Sequence, residues 1–210
     1  MIGFIGGTGN QGQALAFRIA STGEKVMLGS RSIEKAKSAV DKIKETKKSL
    51  KLDITPAHNE IAAECDIVFI TLPYSTLKST LDPLKDALKG KIIVDVINPL
   101  TNNNIHKGIS ASEELQQFLK SSRVVCAFKN VSSYLLWNFD NALDTHSIVC
   151  SDFQESKKTV IDLSERMGIP SIDGGPLENA LASELLTRML LYLNKEQNAE
   201  TGIRFVSFKH

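Results

Sequence analysis

The sequence predicts an α/β protein of the Rossmann type, with a doubly wound, mostly parallel sheet and a small carboxy-terminal α/β lobe. Short apolar segments alternate with amphipathic helical segments along the 210 residues. A glycine-rich turn directly follows the first apolar segment. Residues 66–71 are apolar at nearly every position, which is typical of a strand buried on both faces of a parallel sheet. Strands and helices that alternate at this spacing form right-handed βαβ units.

The first half of the chain contains five predicted strands with a helix after each of the first four. Residues 2–5 form a short apolar run, and the helical pattern that follows it closes at Gly23. Ser32 is the predicted N-cap of the next helix, which is charged and amphipathic. The predicted strands are residues 2–5, 25–28, 52–55, 66–71 and 91–96, and the other predicted helices are residues 32–47, 60–64 and 77–88.

The second half begins with a polar stretch, residues 98–108, which we expect to be a loop at the edge of a site. Beyond it, we predict strands at 124–128, 147–150 and 169–172, and helices at 112–120, 154–167 and 177 to about 193. No linker rich in Pro, Gly or Ser separates independent units. We therefore expect a single domain, residues 1–210, in which residues 1–128 form a dinucleotide-binding core and residues 129–210 a small lobe packed on it.

Composition excludes several classes of partner. Twenty-five Lys and Arg against twenty-four Asp and Glu give a net charge of +1, so there is no overall field that would gather nucleic acid. No apolar run approaches the roughly 20 residues of a membrane helix. No leader precedes the first strand, and we expect a cytoplasmic protein. The three cysteines are expected to be buried and reduced, and neither they nor the four histidines have metal-ligand spacing.

The clearest motif is a G-x-G-x-x-G sequence that follows a strand and opens a helix. In such a motif the first glycine permits the tight turn, the second lets a pyrophosphate approach the backbone, and the third lets the helix pack closely on the sheet. The phosphates then contact free amides at the positive end of the helix. The motif residues, all expected to bind the cofactor, are Gly7, Thr8, Gly9, Asn10, Gln11 and Gly12.

The end of the second predicted strand favours NADP(H) over NAD(H). An Asp or Glu there would bind the ribose diol of NAD, whereas this chain has Ser30 and Arg31. A hydroxyl and a guanidinium suit an additional phosphate, which a carboxylate would repel. The alternative is that Arg31 only caps or solvates the next helix.

Two further strand ends are expected to line the nicotinamide, because ligands of open α/β sheets bind at the carboxyl ends of the strands. The residues are Thr71, Leu72 and Pro73 at the end of the fourth strand, and Asn98 and Pro99 at the end of the fifth. A purely structural role as strand-ending turns is the alternative, since proline commonly marks such boundaries.

These motifs resemble the F420-dependent NADP oxidoreductases. The resemblance lies in residues 6–12, Gly29-Ser30-Arg31 and residues 71–73, and continues in residues 151–152, 174–179 and 202–205. It implies a Rossmann domain with a small lobe, in which hydride passes directly between NADP(H) and the deazaflavin coenzyme F420. It also implies that Thr8 joins Ser30 and Arg31 in holding the 2′-phosphate.

The resemblance places the second substrate, F420, against the nicotinamide. The residues expected at its site are Lys129, Val131, Gly174, Gly175 and Pro176, with the glycine turn closing over the cleft. Where family members have a histidine after the sixth strand, this chain has Lys129. Its charge would attract the anionic deazaflavin as a point charge. The alternative is a lysine that extends from a strand end into water.

Two other functions compete with this one: an NADPH-dependent reductase of flavin or another small acceptor, and a non-catalytic NADP(H)-binding sensor. Hydride transfer relies on ring orientation and exclusion of water, so we expect no catalytic acid, base or nucleophile. The predicted helix from residue 177 to 193 is too apolar to have one solvated half. It predicts a homodimer, unless the helix simply packs across its own sheet.

Overall fold

The structure is a computed structural model and describes residues 1–99, 108–139 and 143–208. Its main sheet contains six parallel strands, in the order β3-β2-β1-β4-β5-β6. This is the strand order of the dinucleotide-binding fold, and it confirms the predicted fold class. The strands are β1 (Ile2–Ile5), β2 (Val26–Ser30), β3 (Ile54–His58), β4 (Ile67–Ile70), β5 (Ile92–Asp95) and β6 (Arg123–Cys126).

Eight α-helices connect and cover the strands of the described residues. They are α1 (Asn10–Ser21), α2 (Ile33–Thr46), α3 (Asn59–Ala62), α4 (Leu77–Leu81), α5 (Ala111–Phe118), α6 (Ser133–Trp137), α7 (Gln154–Arg166) and α8 (Ala180–Gln197). The predicted cap is confirmed, since the Ser32 hydroxyl accepts a hydrogen bond from the Lys35 N–H at 3.3 Å. The predicted helix at 77–88 is wrong in length: α4 ends at Leu81, and a 3₁₀ turn containing Pro83 follows it.

The carboxy-terminal part of the chain has a small parallel sheet of its own. It consists of β7 (Ser147–Val149) and β8 (Ser171–Asp173). Cys126 and Cys150 exchange two backbone hydrogen bonds, of 2.9 and 3.0 Å, in an antiparallel bridge between β6 and the residue after β7. The small sheet is thereby attached to the edge of the large one. All three cysteines are buried as free thiols, as predicted.

Apolar side chains cover both faces of the main sheet. On one face, the rings of Phe4 and Phe69 stack with centroids 4.8 Å apart, and Phe128 stacks on Phe69 at 6.0 Å. On the other face, Ile5 and Ile70 pack in a second buried cluster. Burial on both faces explains why the central strands have almost no polar residues. Among the described residues, no helix is sufficiently long and apolar to cross a membrane.

Arg18 connects α1 to the carboxy-terminal part of the fold. Its side chain is fully buried and donates to four backbone carbonyl oxygens, those of Leu135, Leu136 and Asn138 around the end of α6, and that of Met167 after α7. Burial lowers the pKa of Arg18. A buried guanidinium at two helix C-termini is favourable because carbonyl oxygens without helical partners face it there.

Candidate functional site

The glycine-rich turn after β1 is shaped by Gly6 as much as by the predicted motif. Gly6 has φ of +73°, a conformation that favours glycine, whereas Gly7 does not have a positive φ. The prediction that Gly7 permits the tight turn is therefore wrong. Gly7 is required for close packing instead, since a Cβ there would lie 2.6 Å from Leu28 Cδ1.

The start of α1 is open to a ligand. Gly9 is the N-cap of α1 and has no side chain that could accept hydrogen bonds from the first amides of the helix. The space beside it is empty, since a Cβ at Gly9 would have no atom within 4 Å. Asn10 is exposed at the first position of the helix. Gly12 faces the turn, where a Cβ would lie 2.6 Å from the Gly7 carbonyl oxygen, so the close approach of α1 to the turn requires glycine here. The helix therefore presents unpaired amides and room for a pyrophosphate.

Asn59, at the start of α3, holds the turn in place. Its side-chain oxygen accepts a hydrogen bond from the Gly6 N–H at 3.1 Å, and the residue is buried. Gly29 allows this approach, since a Cβ there would lie 3.1 Å from the same oxygen and 2.3 Å from the Phe4 carbonyl oxygen. The role of Asn59 was not predictable from the sequence, because no local motif joins this residue to a turn 53 residues earlier.

A cavity of about 670 Å³, which we call the glycine-turn cavity, lies along the ends of β1, β2 and β4. It brings together the predicted Thr8, Ser30 and Arg31. Lys35, one turn into α2, also lines it and was missed, although it stands four residues after Arg31 on the helix that Ser32 caps. The lining residues are Gly6, Thr8, Gly9, Ser30, Arg31, Ser32, Lys35, Asn59, Thr71, Leu72, Pro73 and Thr76.

A second cavity of about 380 Å³, the lobe cavity, lies on the other side of the start of α1. One wall comes from the ends of β5 and β6, and the opposite wall from α8 and the chain after it. The lining residues are Gln11, Val96, Asn98, Lys129, Asn130, Val131, Ser132, Ser133, Thr187, Leu190, Leu191, Asn194, Glu200 and Thr201. Pro99 is buried beside it and lines neither cavity. Of the predicted loop at 98–108, residues 100–107 lie outside the described residues.

Gln11 and Asn98 therefore belong to the lobe cavity, although the sequence assigned them to the cofactor. The Gln11 side-chain amide donates to the carbonyl oxygens of Phe128 at 3.3 Å and Val131 at 3.1 Å. The Asn98 amide donates to the Lys129 carbonyl oxygen at 2.8 Å. Phe128 has a φ of +58°, in the left-handed region, at the point where the chain leaves β6 and these carbonyl groups begin.

Lys129 does not offer the free charge that was expected of it. Its side chain is completely buried, with Nζ 2.8 Å from Asp95 Oδ2 and 3.1 Å from Glu184 Oε1. Burial alone would lower the pKa of Lys129, but the two carboxylates outweigh burial and raise it. Both expectations for this residue are wrong, since a lysine neutralised in this way is neither a point charge for an anion nor solvated.

The turn at Gly174, Gly175 and Pro176 lines neither cavity, so the expectation that it closes over the cleft is not met. Gly174 packs on Cys150, where a Cβ would lie 2.6 Å from Sγ, and the Gly175 carbonyl oxygen accepts a hydrogen bond from Lys157 Nζ at 3.1 Å. The pairing of β8 with β7 directs this turn towards α7.

Comparison with known proteins gives consistent similarities. The family model described as NADP oxidoreductase coenzyme F420-dependent matches residues 1–99. A Methanocaldococcus jannaschii protein named F420-dependent NADP reductase is 40% identical, over 99% of both chains. The metalloreductase STEAP3 of Rattus norvegicus is 26% identical over 88% of this chain and 36% of its own length. A crystal structure from Arthrobacter sp. FB24, provisionally assigned as an F420-dependent NADP reductase, shares the fold with a TM-score of 0.81, at 20% identity over 97% and 99% of the two chains.

Proposed function

Since the chain belongs to the coenzyme F420-dependent NADP oxidoreductase family, we propose that it is an oxidoreductase that transfers a hydride directly between NADP(H) and F420. The observation that carries this proposal is the placement of two cavities on either side of the start of α1. Gly9 lines one and Gln11 the other, so ligands in the two cavities would meet at the end of this helix.

The residues present fit NADP(H). The pyrophosphate would lie on the uncapped amides of α1 beside Gly9, where no side chain fills the space. The 2′-phosphate would be held by Thr8, Ser30 and Arg31, with Lys35 as a second cation. Leu72 and Pro73 would lie alongside the cofactor at the strand ends. When bound, the nicotinamide supplies the position that gives or accepts the hydride.

The lobe cavity fits a planar acceptor such as F420. Val131, Leu190 and Leu191 provide apolar surface, while Asn98 and Thr187 provide polar groups at its wall. An apolar cavity with a few polar groups orients a ring and excludes water from it. The chain's contribution is therefore orientation, and we propose no catalytic acid or base among its residues.

We propose that the protein is a homodimer formed through α8. One side of this helix packs on its own chain, with Ser183, Glu184, Thr187 and Leu190 buried. On its other side, Leu185, Met189 and Tyr192 are 42%, 49% and 62% exposed at helical spacing. A contiguous exposed apolar surface of this kind is typical of an interface. The three buried free thiols are consistent with a reducing compartment, and we propose the cytoplasm.

Incubation of the protein with NADPH and, separately, with oxidised F420, FMN and FAD tests the proposed function. We expect NADPH absorbance to be lost with F420 and at least tenfold more slowly with either flavin. Equal or faster reaction with a flavin would overturn the F420 assignment and leave an NADP-dependent reductase. Binding of NADPH without turnover by any acceptor would instead support a non-catalytic sensor.

A further inference from the structure

Three buried ionic side chains meet at the edge of the lobe cavity, and we call them the lysine–carboxylate cluster: Asp95, Lys129 and Glu184. Their side chains are 1%, 0% and 6% exposed. Lys129 Nζ contacts both carboxylates and also donates to the Ile97 carbonyl oxygen. The cofactor contacts proposed above do not use this cluster.

The cluster joins four separate parts of the fold. Asp95 ends β5, Lys129 follows β6, Glu184 lies on α8, and α5 contributes donors to both carboxylates. The Ser112 hydroxyl donates to Asp95 Oδ2 at 2.6 Å, and the Ala111 N–H donates to Glu184 Oε1 at 3.0 Å. Each charge therefore has partners that hold it in one geometry.

The two walls of the lobe cavity are attached to this cluster. On the sheet side, the Asn98 side-chain amide donates to the Lys129 carbonyl oxygen at 2.8 Å. On the α8 side, the Thr187 hydroxyl lies 3.0 Å from the same oxygen and shares its proton between that oxygen and the Ser183 carbonyl oxygen at 2.9 Å; Thr187 lies one turn after Glu184. Lys129 thus binds both walls, each through its backbone carbonyl oxygen and through its ammonium group, which contacts Asp95 on the sheet side and Glu184 on α8.

A buried ion cluster is a weak source of net stability, because desolvation of the charges offsets most of their attraction. Its geometry is nevertheless specific, since breaking one contact leaves a buried charge without its partner. The cluster therefore fixes how far α8 stands from the ends of β5 and β6.

We propose that Lys129 and Glu184 are positioning residues, which set the spacing between the two walls of the lobe cavity and thereby the fit of the acceptor ring. The inference rests on the proposed function insofar as the acceptor occupies this cavity. It predicts that weakening the cluster impairs use of the acceptor and leaves the glycine-turn cavity unchanged.

Glu184→Gln is the principal test, because glutamine keeps the size of the side chain and an oxygen for the Ala111 N–H. We expect the KM for F420 to rise at least fivefold, while the Kd for NADPH stays within twofold. Lys129→Met should give a larger rise. Lys157→Met is the matched control: Lys157 is equally buried and paired with Asp173 at 2.7 Å, but it lines neither cavity.

Hydrogen exchange of the ligand-free proteins provides a second measurement that needs no activity. In Glu184→Gln we expect faster exchange in residues 129–133 and 184–194, and unchanged exchange at the start of α1. Failure of the wild-type protein to react with F420 would count against the proposed function, and the exchange data would still decide whether the cluster holds the walls. Unchanged KM and unchanged exchange in Glu184→Gln, or an equal rise of KM in Lys157→Met, would overturn the inference.

Discussion

The side-chain amide of Gln11 donates to the backbone carbonyl oxygen of Val131 at 3.1 Å, across the gap between α1 and the loop after β6. Gln11 stands two residues after Gly9, the N-cap of the helix that faces the proposed phosphate site. Val131 lines the lobe cavity. One side chain thus fixes the wall of the second cavity relative to the end of the helix that borders the first.

Replacement of Gln11 by Met removes this hydrogen bond and the one to Phe128 while keeping the length of the side chain. Two hydrogen bonds contribute about 1 to 3 kcal/mol together. We expect kcat/KM for hydride transfer to fall about tenfold, with little change in the Kd for NADPH. Steady-state kinetics with each substrate varied in turn provides the measurement, and unchanged kcat/KM would contradict the role given to Gln11.

Arg31→Ala should weaken NADPH binding about ten- to a hundredfold and leave NADH binding unchanged, because only NADPH has the 2′-phosphate. Lys35→Ala should also weaken NADPH binding, but by a smaller factor, since an ammonium is a point charge and forms no bidentate contact. Calorimetric titration with both nucleotides measures the effect. Lys37→Ala, an exposed lysine of the same helix outside the cavity, is the control and should leave both affinities unchanged.

Arg18→Leu should lower the free energy of unfolding by about 3 kcal/mol or more, because four buried carbonyl oxygens lose their donor. Urea denaturation measures the loss. Arg166→Leu is the comparison: its ion pair with Glu24 is exposed, and its removal should cost less than about 1 kcal/mol. Similar losses in the two variants would contradict the structural role of the buried guanidinium.

Burial raises the pKa of Glu184 above its ordinary value, and the attraction of Lys129 only partly offsets this. The folded protein therefore binds the Glu184 proton more tightly than the unfolded chain does. The stabilisation of the fold by this proton is complete below the pKa of a glutamate in the unfolded chain, about 4.3. It is lost as pH rises through the raised pKa that Glu184 has in the folded protein.

Glutamine does not titrate, so Glu184→Gln should gain stability relative to the wild type as pH rises from about 4 upward through the folded pKa of Glu184. Urea denaturation of both proteins at pH steps from about 4 to 8 measures the difference, in which the other carboxyl groups cancel. A difference that is flat or falls with pH would contradict this prediction. If Glu184→Gln gains stability, the expected rise in the KM for F420 cannot be explained by a loss of folded protein.

Met189→Lys should dissociate the proposed dimer, because it places a charge in the exposed apolar side of α8. Light scattering at micromolar concentration should then give 23.0 kDa, the mass of one chain, in place of twice that value. Glu196→Gln makes the same change of charge at the polar end of the helix and should leave the dimer intact. A wild-type mass of 23.0 kDa would show that the exposed side of α8 has no second copy on it.

The parts of the site that lie within one βαβ unit were predictable from sequence. The positions of Gly9 and Gly12 depend on contacts a few residues away, Ser30 ends the next strand of the same unit, and Arg31 follows it. The tight turn was assigned to Gly7 rather than to Gly6 because the motif begins at Gly7, whereas strand β1 ends at Ile5 and the turn starts at Gly6.

Residues whose partners are distant in sequence were not predictable in the same way. The surroundings of Lys129 depend on Asp95, 34 residues earlier, and on a glutamate in the last helix, neither of which carries a motif. The direction of the turn at Gly174 depends on the pairing of β8 with β7. Its sequence resembles the family, but the sequence does not show which side of the small sheet it faces.

Arg18 has a consequence for the order in which the chain folds. The helix that carries it is synthesised early, yet all four of its carbonyl partners lie between Leu135 and Met167. Until residue 167 has left the ribosome, the guanidinium must stay hydrated, and α1 cannot become as buried as it is in the folded protein. A chain that ends at Phe128 would keep every strand of the main sheet but leave this cation without its acceptors. The amino-terminal half therefore depends on the carboxy-terminal lobe for its own completion.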